Sequence, residues 1–188
     1  GPAHRATPVA PPASTPGPVF GFSAATGDQI GDLSGAVSGD RFGHAVAGLG
    51  DDLNGDGKEE YVVGAPGHDA AGSGAGRVYV MRSVTSFLTK WVFDGLAASD
   101  AMGSSVARAG DVNRDGTVDI VAGAPGHDAP PIFTNGGLAR VWSGATGAIL
   151  LTTSTGGGNT AVGALGLGAL LLRRRKASAL GACIGALV

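Results

Sequence analysis

The chain has 188 residues, with 13 basic and 15 acidic side chains, 35 glycines, and 43% hydrophobic but only 5% aromatic residues. That length suits one ordinary domain, and the glycine content favours short strands and turns over long packed helices. Four of the basic residues form one run, Arg173-Arg174-Arg175-Lys176, so residues 1–172 keep 13 − 4 = 9 against all 15 acidic ones, a mildly acidic body that argues against nucleic acid as a partner.

Cys183 is the single cysteine, so no disulfide framework is expected and the redox compartment is left open. The first residue is Gly1, with no Met or apolar signal region, which reads as a processed chain or a fragment.

Residues 1–18, GPAHRATPVAPPASTPGP, are rich in Pro, Ala, Ser and Thr and lack apolar periodicity; they read as a semi-extended linker. From 19 to 156 the chain repeats. Phe22-Ser23-Ala24-Ala25-Thr26-Gly27 returns as Trp142-Ser143-Gly144-Ala145-Thr146-Gly147, with a degraded copy at Met81–Thr85. Ser38-Gly39-Asp40-Arg41-Phe42-Gly43 returns as Ala98-Ser99-Asp100-Ala101-Met102-Gly103, and Gly64-Ala65-Pro66-Gly67-His68-Asp69-Ala70 as Gly123-Ala124-Pro125-Gly126-His127-Asp128-Ala129. These anchors agree on a period of about 60, giving full repeats over about 38–95 and 98–155 and the end of a preceding one. Within each period, turn residues bound four short strands, predicted near 43–49, 60–64, 76–82 and 88–94, then 103–109, 118–123, 138–143 and 147–153. Four strands per period is the pattern of a β-propeller blade; a solenoid is the main rival, with periods that are commonly shorter.

Between the first two strands of each period lies an acidic loop. Asp52-Leu53-Asn54-Gly55-Asp56-Gly57-Lys58-Glu59-Glu60 is echoed by Asp111-Val112-Asn113-Arg114-Asp115-Gly116-Thr117-Val118-Asp119. Oxygen-bearing side chains stand at positions 1, 3, 5 and 9 of both, with glycine at position 6. The spacing suits calcium, a hard cation that takes six to eight oxygens. The candidate donors are Asp52, Asn54, Asp56, Glu60 and the Lys58 carbonyl in the first loop. In the second they are Asp111, Asn113, Asp115, Asp119 and the Thr117 carbonyl. Three carboxylates converging on one point repel unless a cation lies between them. Magnesium demands a stricter octahedron, and zinc would want His or Cys, which no donor position offers. An EF-hand fits less well: position 12 is Val63 or Ala122, and the residues that follow read as strand where a helix would be required. The alternative is a pair of Asp/Asn/Gly-rich turns without an ion.

Phe42-Gly43, the acidic loop and Gly64-Ala65-Pro66 together resemble the FG-GAP repeat of the integrin alpha-chain β-propeller and its bacterial secreted relatives. The second copy keeps Gly103 and Gly123-Ala124-Pro125 but has Met102 in place of Phe42. The resemblance implies an all-β fold of four-stranded antiparallel blades with one calcium per loop, hence two Ca2+ sites. It further implies an extracellular or cell-surface location and a role in adhesion or in binding a protein or glycan, without catalysis. Two full repeats fall short of the usual seven blades, so a partial propeller is expected, as part of a larger protein or of an assembly of chains. The rival reading is the non-catalytic propeller module of a larger secreted hydrolase.

The repeated His68-Asp69 and His127-Asp128 follow the Gly-Ala-Pro turns and are candidates for a ligand-facing surface or for solvated loop positions. No Gly-x-Ser-x-Gly elbow accompanies them, so a catalytic reading has no nucleophile. His44 reads as a packed strand histidine, Gly72–Gly76 as an inter-strand loop, and Trp91, Trp142, Phe87 and Phe93 as packing between blades. Residues 157–188 begin with a Gly spacer, followed by the apolar run Ala161–Leu172 and the basic cluster. That order resembles the C-terminal sorting signals of secreted bacterial surface proteins and leaves membrane attachment open. A further hydrophobic strand or buried helix is the alternative, and Leu180-Gly181-Ala182-Cys183 resembles a lipobox displaced from its usual N-terminal place.

Overall fold

The strands that the repeat calls for are present. A computed structural model describes residues 17–22, 26–35, 37–82, 89–128 and 135–154, which form ten β-strands and no helix. They are β1 (Pro18–Phe22), β2 (Gln29–Ser34), β3 (Ala45–Gly48), β4 (Tyr61–Ala65), β5 (Arg77–Met81), β6 (Thr89–Asp94), β7 (Ser105–Gly110), β8 (Asp119–Ala124), β9 (Leu138–Trp142) and β10 (Ile149–Ser154). The arm through residue 16, Phe87 and the whole of 155–188 lie outside the described residues, and with them the apolar run, the basic cluster and Cys183.

Each full repeat is one antiparallel meander, β3-β4-β5-β6 and then β7-β8-β9-β10. Short connections between consecutive strands favour neighbour pairing of this kind. The inner strands β4, YVVGA, and β8, DIVAGA, are buried along their whole length, as their near-continuous apolar sequence demands. β1 and β2 form a separate antiparallel hairpin. The sequence Phe22–Gly27, between its strands, is the counterpart of Trp142–Gly147. The sequence pattern does not single out these two strands, because Gly21, Gly31 and the prolines before them dilute the strand signal.

The sheets stack face to face. Val62, Val78, Val80 and Phe93 of the first sheet meet Ile120, Ala122, Leu138 and Trp142 of the second, with Met102 between them. Phe93 and Trp142 stack with ring centroids 4.4 Å apart and planes 11° apart. Each fully buried aliphatic side chain in such a seam contributes roughly 1.5–3 kcal/mol. The other face of the first sheet, Tyr61, Val63, Ala65, Tyr79 and Met81, packs on Val19 and Leu33 of the hairpin, with Phe42 between them. Phe42 and Met102 therefore plug equivalent seams. Both are almost wholly buried, and an unbranched thioether can fill the space an aromatic ring fills in the other repeat.

His44 corrects one expectation. It is exposed, in the turn ahead of β3, with its Nδ1 3.0 Å from Arg41 Nη2. β3 is an edge strand whose residues alternate between half-buried and exposed: Ala45 and Ala47 pack on the core, while His44 falls on the outward side with Val46 and Gly48.

The glycines of the repeat motif are fixed by close approach. A Cβ on Gly64 would lie 1.9 Å from the Gly103 carbonyl oxygen, so the two sheets touch backbone to backbone where one motif meets the next. Gly64→Ala is expected to lower the unfolding free energy by about 2 kcal/mol or more, by forcing the seam apart. Gly48→Ala, in the open on β3, should be neutral or slightly stabilising. Urea unfolding of both variants checks this, and equal effects would contradict the close-contact account.

Candidate metal centre

The two acidic loops connect β3 to β4 and β7 to β8. Their position-6 glycines, Gly57 and Gly116, have φ of 80° and 88°, a left-handed turn that glycine adopts without strain. The turn folds each loop over its first aspartate. Asp52 Oδ1 accepts from the backbone N–H groups of Asn54 (3.2 Å), Gly55 (2.7 Å) and Asp56 (3.1 Å), and Oδ2 from Gly57 (2.6 Å). Asp111 does the same with Asp115 (3.0 Å) and Gly116 (3.1 Å).

At the floor of each loop stands the position-9 carboxylate. Glu60 is fully buried at the foot of β4, with Oε2 accepting from Leu53 N–H at 2.5 Å. Asp119, equally buried at the foot of β8, accepts from Val112 N–H at 2.6 Å on Oδ2 and from Gly144 N–H at 3.2 Å on Oδ1. In the first loop, carboxylate oxygens of Asp52, Asp56 and Glu60 all lie within 4.8 Å of one another. Asn54 donates from Nδ2 to Glu60 Oε1, and its Oδ1 is buried without a hydrogen-bond partner. A buried acceptor with nothing to accept is costly, and three mutually close carboxylates with an orphaned amide oxygen among them are a donor set for a hard cation. The residues present therefore fit a calcium ion.

The second loop is arranged differently. Among the described residues it gathers no three carboxylates as closely. Asp115 Oδ2 instead accepts from Asn113 Nδ2 (2.7 Å) and Ser143 Oγ (3.2 Å). Asp119 is one methylene shorter than Glu60, so its carboxylate stays at the floor between two backbone amides.

The electrostatics divide the acids into two groups. Asp52 is held below its ordinary pKa chiefly by the Gly57 amide, and Asp115 by the Asn113 side chain. Burial pushes Glu60 up, and the charges of Asp52 and Asp56 add to that; burial also pushes Asp119 up, helped by Asp115. Each loop thus has a sealed carboxylate facing exposed ones of the same sign.

At the other end of β4 and β8 lie the Gly-Ala-Pro turns. His68 Nε2 is 3.7 Å from Asp40 Oδ2, and His127 Nδ1 is 3.1 Å from Asp100 Oδ2, both aspartates being buried. Asp100 Oδ2 also accepts from the N–H groups of Leu96 (3.0 Å) and Ala97 (2.9 Å). Asp69 accepts from Gly74 N–H (2.7 Å), and Asp128 from Asn135 N–H (2.8 Å). In the second repeat the histidine lies within hydrogen-bond distance of its buried acid, in the first it stands beside it, and in both the following aspartate closes the loop. Asp40 and Asp100 recur as faithfully as the histidines, but no local pattern marks them as site residues.

A family model described as an FG-GAP-like repeat matches residues 52–122, and one described as an FG-GAP repeat matches 102–143. The chain is an FG-GAP repeat protein. It is 36% identical over 90 residues to integrin alpha-PS3 of Drosophila melanogaster, covering 46% of this chain and 8% of that protein. It is 35% identical over 137 residues to integrin alpha-3 of Cricetulus griseus (66% and 13%), and 36% identical over 116 residues to integrin alpha-6 of Homo sapiens (60% and 10%). The matched span is thus about a tenth of each relative's own length. In this FG-GAP chain the matched residues contain both acidic loops.

The raised carboxylates set a pH dependence. Without a bound cation, Glu60 and Asp119 hold their protons more tightly in the folded chain than in the unfolded one. Their contribution is fully present below about pH 4 and is lost as pH rises through their raised folded values. In EDTA, unfolding free energy should fall as pH rises above about 4, and the double variant Glu60→Gln/Asp119→Asn should flatten that fall. An equally steep fall in the double variant would contradict the assignment.

Proposed function

We propose that this FG-GAP chain is a calcium-stabilised binding module that acts outside the cell, as part of a propeller whose remaining blades lie elsewhere. The observation that carries the reading is the floor of the first loop: a fully buried Glu60, Asp52 and Asp56 within 4.8 Å, and an unpartnered Asn54 oxygen. The ligands proposed are Asp52, Asn54, Asp56, Glu60 and the Lys58 carbonyl, and in the second loop Asp111, Asn113, Asp115, Asp119 and the Thr117 carbonyl. Bound there, calcium supplies positive charge among oxygens that otherwise repel.

The protein's own residues do the rest. Asp52 and Asp111 gather the turn by their amide contacts, and Glu60 and Asp119 fix its base to the first residues of the inner strands. A rigid loop at one end of β4 and β8 holds the register of the strands, and so the His68-Asp69 and His127-Asp128 loops at the other end. Those loops are the proposed contact surface for a protein or glycan partner, the role being adhesion or capture without catalysis. The integrin relatives are the support for an extracellular or cell-surface setting.

Ion binding to the folded state alone stabilises it by mass action, about 2.7 kcal/mol per site at a hundredfold excess over Kd. Thermal melts should show a midpoint that climbs with calcium chloride and returns in EDTA. Glu60→Gln, which removes one charge at nearly constant volume, should remove roughly half of the climb. A midpoint indifferent to calcium would overturn the reading.

A further inference from the structure

The two loops are not separate. Asp51, directly before the first loop, reaches three backbone N–H groups. Its Oδ1 accepts from Asp52 (3.1 Å), its main-chain oxygen from Glu60 (3.2 Å), and its Oδ2 from Val118 at 3.0 Å. Asp52 and Glu60 are positions 1 and 9 of the first loop; Val118 is position 8 of the second, next to the buried Asp119. One side chain therefore bridges the opening of one loop to the base of the other across the seam between sheets.

A second path closes the circuit. Leu53 donates its N–H to Glu60, and its carbonyl accepts from Lys90 Nζ. The neighbouring Trp91 donates from Nε1 to the Gly144 carbonyl (3.2 Å), and Gly144 N–H donates to Asp119 Oδ1 (3.2 Å). The junction has no slack: a Cβ on Gly144 would lie 1.9 Å from the Val118 carbonyl oxygen. The position matching Asp51 in the second repeat is Gly110, which has no side chain to extend, so the bridge is particular to this pair of loops.

We propose that occupancy of the first loop and occupancy of the second are thermodynamically coupled, with Asp51 as the positioning residue that carries the coupling. The inference rests on the calcium reading above. Drawing Asp52 and Glu60 around an ion sets the Asp51 carboxylate, which holds Val118 N–H and with it the backbone on which Asp119 stands. Coupling is reciprocal, so each ion helps the other bind.

The test is a binding cycle on the full chain, titrated calorimetrically with calcium chloride at fixed ionic strength. Blocking the first loop with Glu60→Gln should weaken calcium binding at the second by about fivefold or more, the lower end of ordinary coupling. In an Asp51→Ala background, where only the path through Leu53, Lys90, Trp91 and Gly144 remains, the same block should weaken the second site markedly less than in the unaltered chain. A general loss of stability would move affinities but would not reduce the dependence of one site on the other. As a check independent of the Asp51 variant, the Val118 amide resonance of an Asp119→Asn chain should shift as calcium fills the first loop. Two sites that bind independently in the unaltered chain, coupling undiminished by Asp51→Ala, or a Val118 resonance that stays in place would each overturn this inference alone. No calcium binding by the unaltered chain would overturn the functional reading with it.

Discussion

A carboxylate sealed beneath a turn of like-charged side chains, once in each full repeat, is the constraint on which the rest depends. Glu60 and Asp119 sit where the acidic loop becomes the inner strand, fully buried and tied to a backbone amide of their own loop. A buried charge with like charges nearby raises the energy of the folded chain unless it is protonated or matched by a cation. The surrounding architecture makes the position hard to relax. β4 and β8 are buried along both faces and hydrogen-bonded on both edges, so the foot of the strand cannot swing outward to hydrate the acid.

The seams explain why that rigidity extends across repeats. Gly64 and Gly103 bring adjacent sheets into backbone contact, while Phe93 on Trp142 fills the wider part of the same seam. Met102 and Phe42 plug equivalent positions in successive seams. At the far end, His68 and His127 stand 3.7 Å and 3.1 Å from Asp40 and Asp100, which lie in the segment leading into each repeat's first strand. Each repeat thus has an acidic turn at one end of its inner strand and a histidine-bearing turn at the other, with the strand as a strut between them.

Much of this was legible in the sequence, because the repeat is written in residue types that have few alternatives. Asp, Asn and Gly at fixed positions of two nine-residue loops marked the turns, and apolar runs bounded by those turns located eight strands to within about two residues. The hairpin was harder to see. Gly21 and Gly31 interrupt its pattern, and only the recurrence of its turn announced a preceding repeat. His44 misled because the apolar residues after it belong to an edge strand, whose outward positions need no partner. The buried acids beneath His68 and His127 are 28 and 27 positions upstream, and the Asp51–Val118 contact spans 67 residues. Separations of that size come from how sheets stack, which no local pattern encodes.

Diffraction from crystals grown in excess calcium chloride tests the central claim most directly. The account predicts one strong difference peak inside each acidic loop, with oxygens of Asp52, Asn54, Asp56, Lys58 and Glu60 around the first and of Asp111, Asn113, Asp115, Thr117 and Asp119 around the second, at about 2.3–2.6 Å. Loops without a peak, with Asp56 and Asp115 turned to solvent while Glu60 and Asp119 stay buried, would contradict it.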